Sequence, residues 1–241
     1  MLLQLLNQLT SNPAQFPVVL ATFLATIALG LVVALTVHEF SHAAVATSLG
    51  DDTPRREGRL SLNPLRHLDP VGTLLLMLAG FGWGRPVRVD PRQFLRGPGP
   101  RLGMSLVAAA GPISNLLTAS LFAVPIRFGL LNWHSPLRYS TAFLQRDPAL
   151  MLADILGWVI LYNVFLGIFN LIPLAPLDGF NLVLGLVPSN LAASLARLQP
   201  MGMSVLMAVV MLDYFFKLGI LARFLLPVAS AATILLVGRP L

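Results

Sequence analysis

Apolar residues run almost without interruption from Phe16 to Gly50, and Val18 to Val37 holds no charged residue. The stretch from Pro17 to Leu49 is long enough to cross a bilayer as one helix, since roughly 20 residues suffice. Pro17 suits a first helical turn, and Gly50, Asp51 and Asp52 suit an end. Thr53 to Pro70 then reads as a polar loop. Val71 to Phe81 is apolar for only 11 residues, about half a crossing, and closes on Gly80, Gly82 and Gly84. It predicts a re-entrant helix or hairpin that returns to the side it came from. Arg85 to Arg101 is a second basic loop, broken by Pro86, Pro91, Pro98 and Pro100.

Leu102 to Leu131 predicts the next span, interrupted at Gly111 and Pro112, with Asn115 in its middle. A polar hairpin, Asn132 to Pro148, leads to the span Ala149 to Ile172, which stops at Pro173 and Pro176. Beyond lie a short apolar piece, Phe180 to Val187, a loop with Arg197, and two last candidate spans, Met201 to Phe216 and Leu218 to Val237. Met1 to Gln15 lacks the early positive charge and small-residue cleavage site of a signal peptide, and its leucines suit an interfacial stripe. The fold class expected is an all-α polytopic membrane protein, a bundle of about five to six transmembrane helices with a short re-entrant element after the first long helix. Residues 1–241 are read as one membrane-embedded domain.

Composition agrees. The chain is 56% hydrophobic and 11% charged, against about 25% charged in ordinary soluble domains. With no Cys, any metal must be held by His and carboxylates. The net charge of +6 comes from fifteen Arg and one Lys, but these lie in loops between apolar runs. They are read as topology determinants and lipid-headgroup contacts, and nucleic acid is not expected as a partner. Residues 50–101 hold nine Arg, whereas Asn132 to Pro148 holds only Arg138 and Arg146, which places the C-terminal end of the first helix in the cytoplasm. Pro173 to Gly179 then arrives at the same membrane face.

Into the first helix the chain sets His38, Glu39 and His42. Burying ionisable groups there costs roughly 2.5 to 3.5 kcal/mol per central charge, so a function is the default reading. His38 and His42 are four residues apart and share a face, as two imidazoles must to ligate one Zn²⁺. Glu39 points about 100° away, where it can serve as general base. With four His and two Glu in 241 residues, chance places H-E-x-x-H in roughly 5 of 10,000 shuffled chains.

A catalytic zinc takes three protein ligands. His67 and His134 fall in loops and read as surface histidines; Asp154 and Asp213 lie near helix ends. Asp178 sits between Pro176 and Gly179 in a broken stretch, tolerated at membrane depth only where it is buried in protein or lines a wet cavity. A helix N-cap for Phe180 to Val187 is its alternative role.

These features carry a resemblance. Asn170-Leu-Ile-Pro173-Leu-Ala-Pro176-Leu-Asp178-Gly179 resembles the N-x-x-P-x-x-P-L-D-G motif of the site-2 proteases, intramembrane zinc metalloproteases. Ala110-Gly111-Pro112-Ile-Ser-Asn115 resembles their A-G-P-x-x-N motif. Gly58 to Pro64, Asp69 to Thr73 and Phe81 to Val87 are similar to the loop and re-entrant hairpin of the compact bacterial branch. The resemblance covers about residues 17–187, leaving 188–241 as accessory helices. It implies one Zn²⁺ per chain on His38, His42 and Asp178, with Glu39 as the catalytic base. It also implies a bacterial inner (plasma) membrane location, with the active site towards the cytoplasm. Substrates would be transmembrane helices or leftover signal peptides in the lipid bilayer.

Asn115 is expected to bind substrate by donating to its backbone or to the developing oxyanion; an interhelical hydrogen bond is the other reading. Gly80 to Gly84 and Val87 to Val89 could offer an unpaired edge to an extended substrate. Phe180 departs from the small residue common after L-D-G and could narrow the cavity beside the metal. No PDZ-like or CBS-like segment is expected. The rival functions are a non-proteolytic zinc-binding scaffold, which the presence of Glu39 disfavours, and a metal transporter, disfavoured by the lack of an internal repeat.

Overall fold

The long apolar runs fold as helices. In the computed structural model, which describes residues 16–72, 84–133, 135–136 and 148–240, the elements are α1 (Phe16–Ser48), α2 (Thr53–Arg56), α3 (Pro100–Arg127), α4 (Pro148–Asn170), α5 (Asp178–Leu186), α6 (Ser189–Ala196), α7 (Gln199–Phe216) and α8 (Ile220–Val237). Single 3₁₀ turns occupy Pro64–Arg66 and Pro91–Gln93. Among the described residues there is no strand, only an isolated antiparallel bridge between Leu68 and Gly84. Five of the helices, α1, α3, α4, α7 and α8, are long and apolar enough to cross a membrane. The protein is therefore a multi-pass, all-α membrane protein, as its hydropathy pattern predicts. The expected re-entrant segment, Val71 to Phe81, lies almost wholly outside the described residues.

Two expectations need correction. Gly111 and Pro112 do not interrupt their span, since α3 is continuous through both. The loop assigned between Val187 and Met201 contains α6, whose Leu-Ala-Ala-Ser-Leu-Ala run is made largely of good helix formers.

The chain forms two compact units, one built from residues up to Ala34, Leu117–Phe165 and Pro227 onward, the other from Leu35–Leu116 and Leu166–Leu226. In the first, small residues let helices approach closely, as is usual where lipid supplies no hydrophobic drive. A Cβ at Gly30 of α1 would lie 2.9 Å from the Trp158 backbone of α4. Ala119, Ala123 and Ala153 are buried alongside Ile160 and Val164.

The second unit carries the polar chemistry. Its loops are stapled to the end of α1 by Asp51, which is wholly buried. Asp51 Oδ1 accepts the Thr53 N–H at 2.9 Å and Oδ2 the Asp90 N–H at 2.7 Å. Beside this staple Ala46, Leu49, Phe94 and Val107 form one apolar cluster; Leu177, Leu206 and Val210 form another. Asp213, in the last turn of α7, caps α8 by accepting the Ile220 N–H at 2.6 Å. Truncating Asp51 strands two half-buried donors, so Asp51→Ala is expected to lose about 1 to 3 kcal/mol in detergent-solubilised unfolding. An unchanged midpoint would show that these loops are held by other contacts.

Candidate metal centre

Four-residue spacing on α1 puts the two imidazoles side by side, with ring centroids 4.6 Å apart and planes at 88°. Both are buried. The broken segment after α4 then brings in a carboxylate: Asp178 Oδ2 lies 3.1 Å from His38 Nε2 and 3.2 Å from His42 Nε2. Asp178 is the first residue of α5, after an extended Leu177. The alternative cap role is not seen, because no side chain caps that helix. Gly179 is what lets the segment seat, since a Cβ there would lie 2.2 Å from Leu171 O and 2.5 Å from Ile172 O.

One stripe of α3, at steps of four residues, completes the site. Val107 O is 2.7 Å from His42 Nδ1, and Asn115 Oδ1 is 2.7 Å from His38 Nδ1. Both acceptors require an Nδ1–H, so each neutral ring presents its Nε2 lone pair towards Asp178. Apart from those nitrogens, Asp178 Oδ2 has no hydrogen-bond partner among the described residues. Three lone-pair donors face one another with no proton to share unless a ring becomes cationic. A divalent cation between them removes the repulsion. The spacing fits zinc, because tetrahedral ligand atoms about 2.0 to 2.1 Å from the metal stand about 3.3 Å from one another. Thus His38, His42 and Asp178 together could hold a metal ion.

Between the two α3 acceptors stands Gly111. A Cβ on it would come within 2.5 Å of His42 Nε2 and 2.6 Å of His38 Cε1. The same helix grips the Asp178 element further along: Ser105 Oγ donates to Asn181 O at 2.8 Å, and Gly185 leaves room for that hydroxyl. From the other side, Gly202 of α7 packs where a Cβ would meet Ala175 O at 2.3 Å.

Glu39 is buried, and its Oε2 accepts the Val87 N–H at 3.2 Å. The neighbouring backbone is engaged too: Arg85 N–H donates to His67 O at 2.7 Å, and the Arg85 and Pro86 carbonyls accept from Arg59. The edge expected to stand open at Val87 is therefore in use; Phe81, Gly82 and Trp83 lie outside the described residues. Asn115 is fully buried, and its side-chain carbonyl meets His38 Nδ1. His67, read as a surface histidine, is fully buried and its Nε2 donates to Ser61 O at 2.6 Å. His134 lies outside the described residues. Phe180 is buried at the start of α5.

Residue types alone could not reveal Val107 O or Val87 N–H, which are backbone groups. Gly111 carried a usable signal, standing midway between Val107 and Asn115 on one helical face.

An H-E-x-x-H helix with a converging aspartate, on helices able to cross a membrane, fits the class of membrane metalloproteases. Relatives point the same way. The Bacillus subtilis protein named "Putative zinc metalloprotease YwhC" is 40% identical over 176 residues, 73% of this chain and 75% of that one. "Putative zinc metalloprotease Rip2" of Mycobacterium tuberculosis is 30% identical over 170 residues, covering 68% of this chain and 58% of that protein. Its namesake in Mycolicibacterium smegmatis is 29% identical over 159 residues, 63% of this chain and 53% of that protein. No protein-family profile matches the chain. No solved structure matches it significantly. The chain belongs to the site-2 protease family.

Gly111→Ala should push the imidazoles apart and weaken zinc binding by at least about 10-fold, the usual scale for disturbing ligand support. Helix content, read by circular dichroism, should be retained because Ala is the better helix former. Zinc bound as tightly as in the wild type would contradict the close approach.

Proposed function

We propose that this protein is an intramembrane zinc endopeptidase that cuts transmembrane segments of other membrane proteins near the cytoplasmic face. The observation that carries this reading is the meeting of His38 Nε2, His42 Nε2 and Asp178 Oδ2, with a buried glutamate one residue from the first histidine. One zinc per chain would be held by those three atoms. Bound there, zinc supplies a Lewis acid that polarises the scissile carbonyl and makes water a usable nucleophile near neutral pH.

The chain's own residues do the rest. Glu39 takes the proton of the attacking water and returns it to the leaving amine, so that neither hydroxide nor an amide anion need form in free solution. Val87 N–H fixes one oxygen of that carboxylate, leaving the other to accept the proton. Asn115 acts through His38: its carbonyl accepts from Nδ1, fixing the tautomer and raising the basicity of Nε2. Val107 O does the same for His42.

Orientation rests on the loop charges. The nine Arg of residues 50–101 support a cytoplasmic position for the end of α1 that bears the histidines. A bacterial inner-membrane location fits that arrangement and the family. The substrates proposed are single transmembrane helices or signal peptides remaining in the lipid bilayer, unwound locally because a helix's amides are satisfied internally.

Purified protein should cleave helix-destabilised transmembrane peptides, stop on treatment with a zinc chelator and resume on zinc addition. Glu39→Gln should retain one zinc while losing about 10² to 10⁴ in kcat, the range that general bases supply. A Glu39→Gln protein that still cleaves at the wild-type rate would overturn the assignment. Metal uptake into proteoliposomes without any peptide cleavage would favour the transporter instead.

A further inference from the structure

Arg59 is the one arginine that the fold buries among the described residues, at 5% exposed. A buried cation needs its donors satisfied, and here they reach three carbonyls. Nη1 donates to Arg66 O and to Arg85 O, the latter at 3.2 Å, and Nη2 donates to Pro86 O at 3.5 Å. Burial, and then the Arg85 charge, draw its pKa below the ordinary arginine value, while Glu39 and Glu57 oppose them. An arginine still remains cationic at physiological pH.

What these carbonyls belong to matters. Gly84 to Val87 forms a short strap that docks on α1 at two points one helical turn apart. A Cβ at Gly84 would lie 2.9 Å from the Leu35 methyl carbons, and Val87 N–H reaches Glu39 Oε2 at 3.2 Å. Arg85 N–H to His67 O and the Leu68–Gly84 bridge tie the strap's outer edge to the loop that bears Arg59. Guanidinium suits this job because its planar fork of five N–H groups can serve several carbonyls at once, which an ammonium's compact charge cannot.

We propose that Arg59 is a positioning residue for the general base, its guanidinium holding the Arg85 and Pro86 carbonyls so that Val87 N–H in turn holds Glu39. The proposal rests on the reading of Glu39 as the base, but the link from Arg59 to Val87 can be tested separately. Arg59→Ala should lose about 10- to 100-fold in kcat with KM and zinc stoichiometry unchanged, the scale seen when supporting hydrogen bonds are removed. Millimolar guanidinium should restore part of the rate, and Arg59→Lys should not. Val87→Pro, which deletes the one N–H, should cost a similar factor, and the double variant should lose little more, because both changes break the same chain of contacts.

Hydrogen exchange at the Val87 amide supplies the readout that does not depend on catalysis. Arg59→Ala and Glu39→Ala should each speed it. Fast exchange in both variants from a wild-type protein that cleaves no transmembrane peptide would keep the strap link and sink the protease reading. A Val87 amide still protected in Arg59→Ala, fully additive losses in the double variant, or loss of zinc from Arg59→Ala would overturn the proposal.

Discussion

Two imidazoles and a carboxylate buried among apolar helices oppose one another unless a positive charge lies between them. Ordinary ion pairs in such surroundings barely compensate for the water they lose. Here both Nδ1–H groups are committed to acceptors on α3, so the facing nitrogens present lone pairs to Asp178. The neighbourhood is built to keep that unfavourable meeting in place. Gly111 yields the room, Gly179 seats the carboxylate against the end of α4, and Ser105 with Gly185 clasps α5. Each device removes a side chain or engages a backbone carbonyl; none adds apolar bulk. Such close approaches leave little freedom for the three donor atoms to drift apart, and that rigidity is what a catalytic metal site needs.

Glu39, the proposed base, is supported by other contacts. The histidines lean on α3 while Glu39 is held by the strap at Val87, and the strap is gathered by loop residues Arg59 and His67. The proposed metal ligands and the proposed base are thus held by separate sets of contacts. Under the proposed mechanism, substitutions in the loop would reach Glu39 before the metal ligands, whereas substitutions on α3 would strike the ligands first. Asp51 fixes the chain where α1 ends and where the strap runs on to Asp90.

Much of this was legible in the residues. His38, Glu39 and His42 combine unmistakable side-chain chemistry with a spacing that any helix converts into one geometry, and Asp178 stood out because two prolines and a glycine broke the helix around it. The spans were legible because hydropathy over about 20 residues overwhelms local detail. Less visible were contacts made by backbone atoms, such as Val107 O and Val87 N–H, since every residue has them. Gly111 was misread as a break because Gly-Pro ordinarily punctuates; its real constraint is the imidazole pair facing it. The contact of Asn115 with His38 is set by packing, which its residue type does not announce. His67 looked like a loop residue on the surface, yet the loop folds over it.

X-ray absorption at the zinc K edge of the purified protein tests the central convergence most directly. A first shell of two imidazole nitrogens and oxygen donors about 2.0 to 2.1 Å from zinc, with no sulfur, is expected. It should lose one imidazole in His42→Ala and one oxygen in Asp178→Ala. A shell left intact by both substitutions would mean that the metal sits elsewhere.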